Sequence, residues 1–256
     1  MSTRRDALKR EAALYFSAQQ FLTRLPGPAW VGWEEDRLAR SAKWFPIVGL
    51  MLGCAAGGIW WISAQVLPGV VAAGLTLSVL LLLTGGLHED GLADCCDGLG
   101  GGATRERVLD IMRDSRIGAY GGLGLIISIG MRWATLSTLS PWQGFAALII
   151  ALVAGRAAMT MMLWSGTYAR TDGAAAGAAG GVTGREAVLA MFSAIVLGVS
   201  FGGMIGGVAV LIAFVLTQLW LQRLTARLGG YTGDGLGAAE QIGQIAVFII
   251  LVGVWA

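Results

Sequence analysis

Not one charged side chain stands between Trp44 and Thr84, and none stands between Ala187 and Gln222. A membrane-spanning helix takes about 20 apolar residues. Each run is therefore too long for one span and long enough for two short ones. Charged residues make up 13% of the chain, against about 25% in a typical soluble domain, so most of the polypeptide is built to face lipid or other apolar helices. Gln65, Pro68 and Gly69 mark the turn in the first run and give spans near 44–64 and 69–84; 202–207 marks the turn in the second. Further spans are predicted from about Tyr120 to Leu139, from Trp142 to Trp164 after a turn at Ser140-Pro141, and from Gly237 to Trp255. The predicted fold class is all-α: a polytopic membrane protein of about seven transmembrane helices. It is expected to form a single integral membrane domain over 1–256, with 44–256 as the bundle.

The basic residues supply an independent check. Lys and Arg concentrate on the cytoplasmic side of membrane proteins. With the N-terminus inside, segments 1–43, 85–118, 165–186 and 223–235 are cytoplasmic, and they hold every Lys and Arg except Arg132 and Arg156. That separation predicts a multi-pass membrane protein with its N-terminus in the cytoplasm. No cleaved leader is expected, because the first 43 residues are charged and the apolar runs follow them. Arg4, Arg5, Lys9 and Arg10, with Leu8, Ala12, Tyr15, Phe16, Leu22 and Leu25 at helical spacing, resemble an amphipathic helix lying on the anionic leaflet. A polar connector holding Glu34, Glu35, Asp36, Arg37, Arg40 and Lys43 comes next. Close-packing helices explain pairs such as Gly53–Gly57 and Gly202–Gly206. Most of the tryptophans read as interface anchors. Cys54, Cys95 and Cys96 form no disulfide framework.

Chemistry concentrates in 85–118, GGLHEDGLADCCDGLGGGATRERVLDIMRDSRIG, which carries the only histidine and the densest group of carboxylates. On a helix, Asp90, Asp94 and Asp97 fall at i, i+4 and i+7, on one stripe. Three carboxylates so placed repel one another unless a cation sits among them. Oxygen-only ligands suit Mg²⁺ first and Mn²⁺ second. The competing reading is a solvated acidic loop between two spans. His88 precedes the aspartates and is a candidate proton acceptor. A zinc site from His88, Cys95 and Cys96 is disfavoured, since adjacent cysteines seldom both reach one tetrahedral ion. Arg113, Asp114, Ser115 and Arg116 suit a site holding a metal and a phosphate, or equally a juxtamembrane basic cluster. Arg132 and Arg156 lie inside apolar spans, where charge is costly and usually faces the protein interior; Arg156 is the stronger functional candidate, and is expected to matter more than Arg170. GGYTGDGLGA, Gly229 to Ala238, sets Asp234 in a glycine-rich turn whose amides can cradle an anion, and Glu240 lies one turn on, toward the same pocket. The carboxylates all fall on the predicted cytoplasmic face, so the catalytic cavity is expected to open to the cytosol.

GGLHEDGLADCCDGLGGG followed by RERVLDIMRDSRIGAYG resembles the signature of the cobalamin synthase family, also called adenosylcobinamide-GDP ribazoletransferases. The resemblance extends to FLTRLP at Phe21–Pro26, FPIVG at Phe45–Gly49, Arg156 and GGYTGDGLGA. Glu89 stands where the family often has a hydrophobic residue, Cys95 and Cys96 where it has small ones, and Arg132 where lysine is expected. The resemblance implies the last assembly step of adenosylcobalamin. A ribose hydroxyl of α-ribazole or its 5′-phosphate attacks the β-phosphorus of adenosylcobinamide-GDP, and GMP leaves. By that analogy Asp90, Asp94 and Asp97 hold the metal, with Asp114 as a further ligand. Arg113 and Arg116 hold phosphate, and His88 or one carboxylate is the base. Expected partners are the two substrates and the lipid bilayer, with no nucleic acid; a homo-oligomer is compatible. Another Mg²⁺-dependent membrane transferase, a CDP-alcohol phosphotransferase or prenyltransferase, is the alternative. Against the first, the chain reads DGLAD where DGxxAR is required and lacks the later GxxxDxxxD. A transporter predicts intramembrane carboxylates and an internal repeat, and the sequence shows neither.

Overall fold

The computed structural model describes residues 4–32, 34, 37–170, 176–178 and 180–256. Glu35 and Asp36 of the connector and Asp172 of the 165–186 loop lie outside them. The described residues form helices α1 (Arg4–Leu22), α2 (Arg37–Ser41), α3 (Phe45–Ser63), α4 (Gly69–Thr84), α5 (Leu87–Gly101), α6 (Arg105–Arg113), α7 (Ala119–Thr138), α8 (Pro141–Ser165), α9 (Gly184–Leu228) and α10 (Gly233–Trp255).

The axis of the bundle is α8. A proline at its first turn and a capping box, in which Ser140 and Gln143 exchange side-chain and backbone hydrogen bonds, start it cleanly. From Ala146 to Leu163 every residue is buried. A helix apolar all round belongs in the middle of a bundle, and α3, α9 and α10 surround it. A Cβ on Gly53 would lie 2.7 Å from the Ile149 Cα, so α3 and α8 meet backbone to backbone. Outward faces carry exposed Leu82, Ile126, Phe192, Met204 and Val215, a surface that suits hydrocarbon.

Although α9 runs for 45 residues, Gly203 within it has φ 60° and ψ −152°. Residues eight apart in a straight helix stand about 12 Å from each other. Yet a Cβ on Gly198 would lie 3.0 Å from the Gly206 carbonyl oxygen. The chain therefore doubles back at Gly203, inside the 202–207 stretch where the sequence places a turn. The two arms, 184–202 and 204–228, are each about as long as a bilayer core is thick.

By length and apolarity, four helical segments among the described residues are able to cross a membrane: Arg37–Ser63, Pro141–Ser165, Gly184–Leu228 and Gly233–Trp255. A fifth arises if α4 and α5 count as one broken span. The expected seven is therefore not what this criterion returns, for physical reasons. With 16 residues α4 is short, and α9 is one continuous segment folded on itself. The bend between α4 and α5 is 89°, made at Gly85 and Gly86, both left-handed at φ 71° and 70°. It swings α5 against α10 and α7.

At one end of the bundle the four basic segments meet. Arg24 N donates to Leu83 O at 2.8 Å. Arg105 donates to Leu228 O at 2.8 Å and Ala169 O at 2.9 Å, and Arg227 donates to Gly102 O at 2.7 Å. Ala169 N to Tyr231 O and Tyr231 N to Thr167 O, both 2.8 Å, join the two remaining loops. The apolar face of α1 is spent on the protein: Leu14, Ala18 and Leu22 are buried against α2 and α3. Lys43 reaches Glu11 at 2.8 Å and Trp44 Nε1 donates to it at 3.1 Å. Partial burial works against the Glu11 charge, but the Lys43 and Trp44 bonds outweigh it and hold the carboxyl below its ordinary range.

Candidate active site

Two cavities open along α5, the smaller of them where α5 passes the start of α10. The larger, about 610 Å³, is lined by Asp90, Asp94, Arg24, Thr23, Ser115 and the Gly85–Gly86 bend. The smaller, about 140 Å³, is lined by His88, Asp90, Tyr168, Arg170, Gly233 and Asp234. Asp90 belongs to both. What brings α5 and α10 together is Gly91, where a Cβ would lie 2.8 Å from the Asp234 carbonyl oxygen. The chain therefore sets Asp234 beside the turn that carries Asp90 and Asp94, and Asp94 feels the charges of Asp234, Asp90, Arg170 and Asp97.

Asp90 and Asp94 line the cavity, and their carboxylates make no hydrogen bond or ion pair among the described residues. Asp97, on the same stripe, has a different occupation. Its oxygens accept from Gly118 N at 2.7 Å and Gly121 N at 2.8 Å. These are the amides of the α7 N-cap, Gly118, which has no side chain to offer, and of Gly121 in its first turn. Asp97 thus caps a neighbouring helix, and its charge complements the positive end of that helix. Asp114 is held by Arg116, with contacts of 2.9 and 2.5 Å. Those bonds keep its carboxyl at about 2. Among the described residues, no three His, Cys, Asp or Glu side chains stand close enough to hold a metal ion by themselves. The four-aspartate set expected from sequence is not brought together. The pair Asp90 and Asp94 fits the habit of Mg²⁺, which takes one or two carboxylates and completes its shell with substrate phosphate and water.

Arg156 and Glu240 pair with each other in the bundle core, both fully buried. They line neither cavity. Gln244 donates to Glu240, and Gln241 donates to Glu240 Oε2 and Glu89 Oε1, both at 3.0 Å. Arg132 closes on Glu89 at 2.9 Å, and Ser128 donates to Gln241 Oε1 at 2.9 Å. The result is one buried polar network that reaches the larger cavity at Glu89, with two acids matched to two arginines, as intramembrane charge requires. His88 lies between network and cavity; it is 1% exposed, and its Nε2 has no partner. Arg113 ends α6 on the surface.

The comparisons with known proteins fit this assembly. The family model described as cobalamin-5-phosphate synthase matches residues 14–252. The chain belongs to the cobalamin-5-phosphate synthase family. Among its relatives is the adenosylcobinamide-GDP ribazoletransferase of Leptothrix cholodnii, 42% identical over 97% of this chain and 98% of its own. The enzymes of that name from Ralstonia nicotianae and Shewanella oneidensis are 39% and 36% identical, each over 96% of both chains. No solved structure matches the chain significantly.

Within this family member, sequence reasoning missed two things. Arg170 pairs with Asp234 at 2.9 Å and lines the smaller cavity, whereas Arg156, expected to matter more, does not. Its signal was isolation, as the one basic residue in the glycine- and alanine-rich stretch 165–184. The Glu89–Arg132 pair was also legible: a charge in one span calls for its counter-charge in another.

Proposed function

We propose that the chain is an adenosylcobinamide-GDP ribazoletransferase of the bacterial inner membrane, joining adenosylcobinamide-GDP to α-ribazole or its 5′-phosphate with release of GMP. The observation that supports it best is the near-full-length family match combined with two unpaired carboxylates facing one cavity. Asp90 and Asp94 would hold Mg²⁺, which supplies neutralising charge to a diphosphate and its leaving group. The protein's own groups do the rest. His88 Nε2, buried and unpartnered at the smaller cavity, accepts the proton of the attacking ribose hydroxyl. The new bond joins that oxygen to the β-phosphorus; the bond to the bridging oxygen breaks, and GMP departs with the electron pair. Arg170 and Asp234 fix the wall facing His88. Asp97 holds α7 against α5, and the Arg156–Glu240 pair fixes the buried network.

The cavity is read as cytoplasmic because the basic segments gather at its end of the bundle; this orientation accompanies a seven-span reading in which α9 supplies two passes. The test is direct. Purified protein given adenosylcobinamide-GDP, α-ribazole and Mg²⁺ should release GMP only when both substrates are present. No GMP, or GMP without the ribazole, would contradict the assignment.

A further inference from the structure

Three arginines other than Arg24 are each paired with a carboxylate, although Arg156 and Arg170 keep buried nitrogens without a hydrogen-bond partner among the described residues. Arg116 is closed on Asp114, Arg156 on Glu240 and Arg170 on Asp234. Arg24 is different. It is exposed and lines the larger cavity together with Asp90 and Asp94, the only basic residue there among the described residues. Among the described residues its guanidinium makes no hydrogen bond or ion pair, although its backbone is pinned: Arg24 N donates to Leu83 O. The Thr23 hydroxyl donates to Gln19 O at 2.7 Å and accepts from Leu25 N at 3.1 Å, which fixes the turn. The side chain lies along Gly85, where a Cβ would come within 3.0 Å of Arg24 Cγ and Cδ. Only a residue without a side chain leaves that path free.

A guanidinium without a partner and two unpaired carboxylates lining one cavity leave room for a guest that satisfies both. A diphosphate does so: its oxygens match the planar fork bidentately on one side and share a divalent cation with the carboxylates on the other. We infer that Arg24 binds the diphosphate of the nucleotide-linked substrate, in the cavity it shares with Asp90 and Asp94. The inference rests on the reading given under Proposed function.

The experiment compares wild type, Arg24→Gln and Arg24→Lys, full length in detergent with Mg²⁺. GDP binding is measured by calorimetry and turnover by GMP release. Losing a charge-assisted bond weakens binding roughly ten- to hundredfold. Arg24→Gln should lower GDP affinity by such a factor and raise KM for adenosylcobinamide-GDP in parallel. KM for α-ribazole and the unfolding midpoint should hold, and Arg24→Lys should fall between. Unchanged GDP affinity in Arg24→Gln, no GDP binding by wild type, or an equal rise in both KM values with a lowered midpoint would overturn the assignment. If GDP binds through Arg24 while the two substrates yield no GMP, the proposed reaction fails and the Arg24 site stands.

Discussion

Asp97→Asn separates a helix cap from a metal ligand. The Asp97 carboxylate accepts from Gly118 N and Gly121 N at 2.7 and 2.8 Å. An asparagine keeps one oxygen to accept one amide and turns an N–H₂ toward the other, donor against donor. A hydrogen bond to a charged group contributes about 1.5–3 kcal/mol, and a buried unpaired donor costs about 1–3 kcal/mol. Adding roughly 0.5 kcal/mol for the charge at the start of α7, the substitution should destabilise by about 3 kcal/mol or more, the low end of these contributions taken together. That is a large fraction of the 5–15 kcal/mol that typically holds a domain folded. Thermal unfolding in detergent reads it out, alongside GMP release titrated with Mg²⁺. Asp97→Asn should lower the unfolding midpoint by several degrees while the surviving folded protein keeps its Mg²⁺ requirement. An unchanged midpoint with a raised Mg²⁺ requirement would show that Asp97 is a ligand and not a cap.

Other outcomes follow from the same contacts. Arg156→Leu strands the buried Glu240 charge and should cost about 3–5 kcal/mol, seen as lost folded protein; Arg156→Leu with Glu240→Leu should recover much of it, and failure to recover would separate the pair energetically. Arg170→Gln should lower GMP release per folded molecule roughly tenfold or more; normal turnover would remove Arg170 from the site. Stripping metal with EDTA should abolish turnover and Mg²⁺ or Mn²⁺ should restore it, whereas full rate after exhaustive chelation would remove the metal from the account.

Local chemistry was legible in the sequence and tertiary chemistry was not. Asp90 and Asp94 are one helical turn apart, so their shared face follows from spacing alone. The turn at Gly203 was visible as a glycine-rich break in an uncharged run too long for one crossing. Asp97 occupies the same stripe, but its partners are the Gly118 and Gly121 amides, supplied by the next helix after a loop. Spacing cannot say that an aspartate meets the bare end of another helix. Asp234 reaches Asp94 only because Gly91 lets α10 touch α5, and nothing near Asp94 announces that approach. Arg156 looked like a substrate ligand because an intramembrane charge demands a purpose; its purpose is Glu240. The span count differed because a 16-residue α4 and a doubled-back α9 do not present themselves as separate long apolar helices.

The central claim is that Asp90 and Asp94 together hold the cation over which a diphosphate is cleaved, and Asp94→Asn tests it most directly. The Asp94 side chain makes no hydrogen bond among the described residues, so its loss should leave the fold alone. GMP release by the purified variant should be abolished at every Mg²⁺ concentration while its unfolding midpoint matches wild type. Near-normal turnover in a folded Asp94→Asn protein would contradict the account.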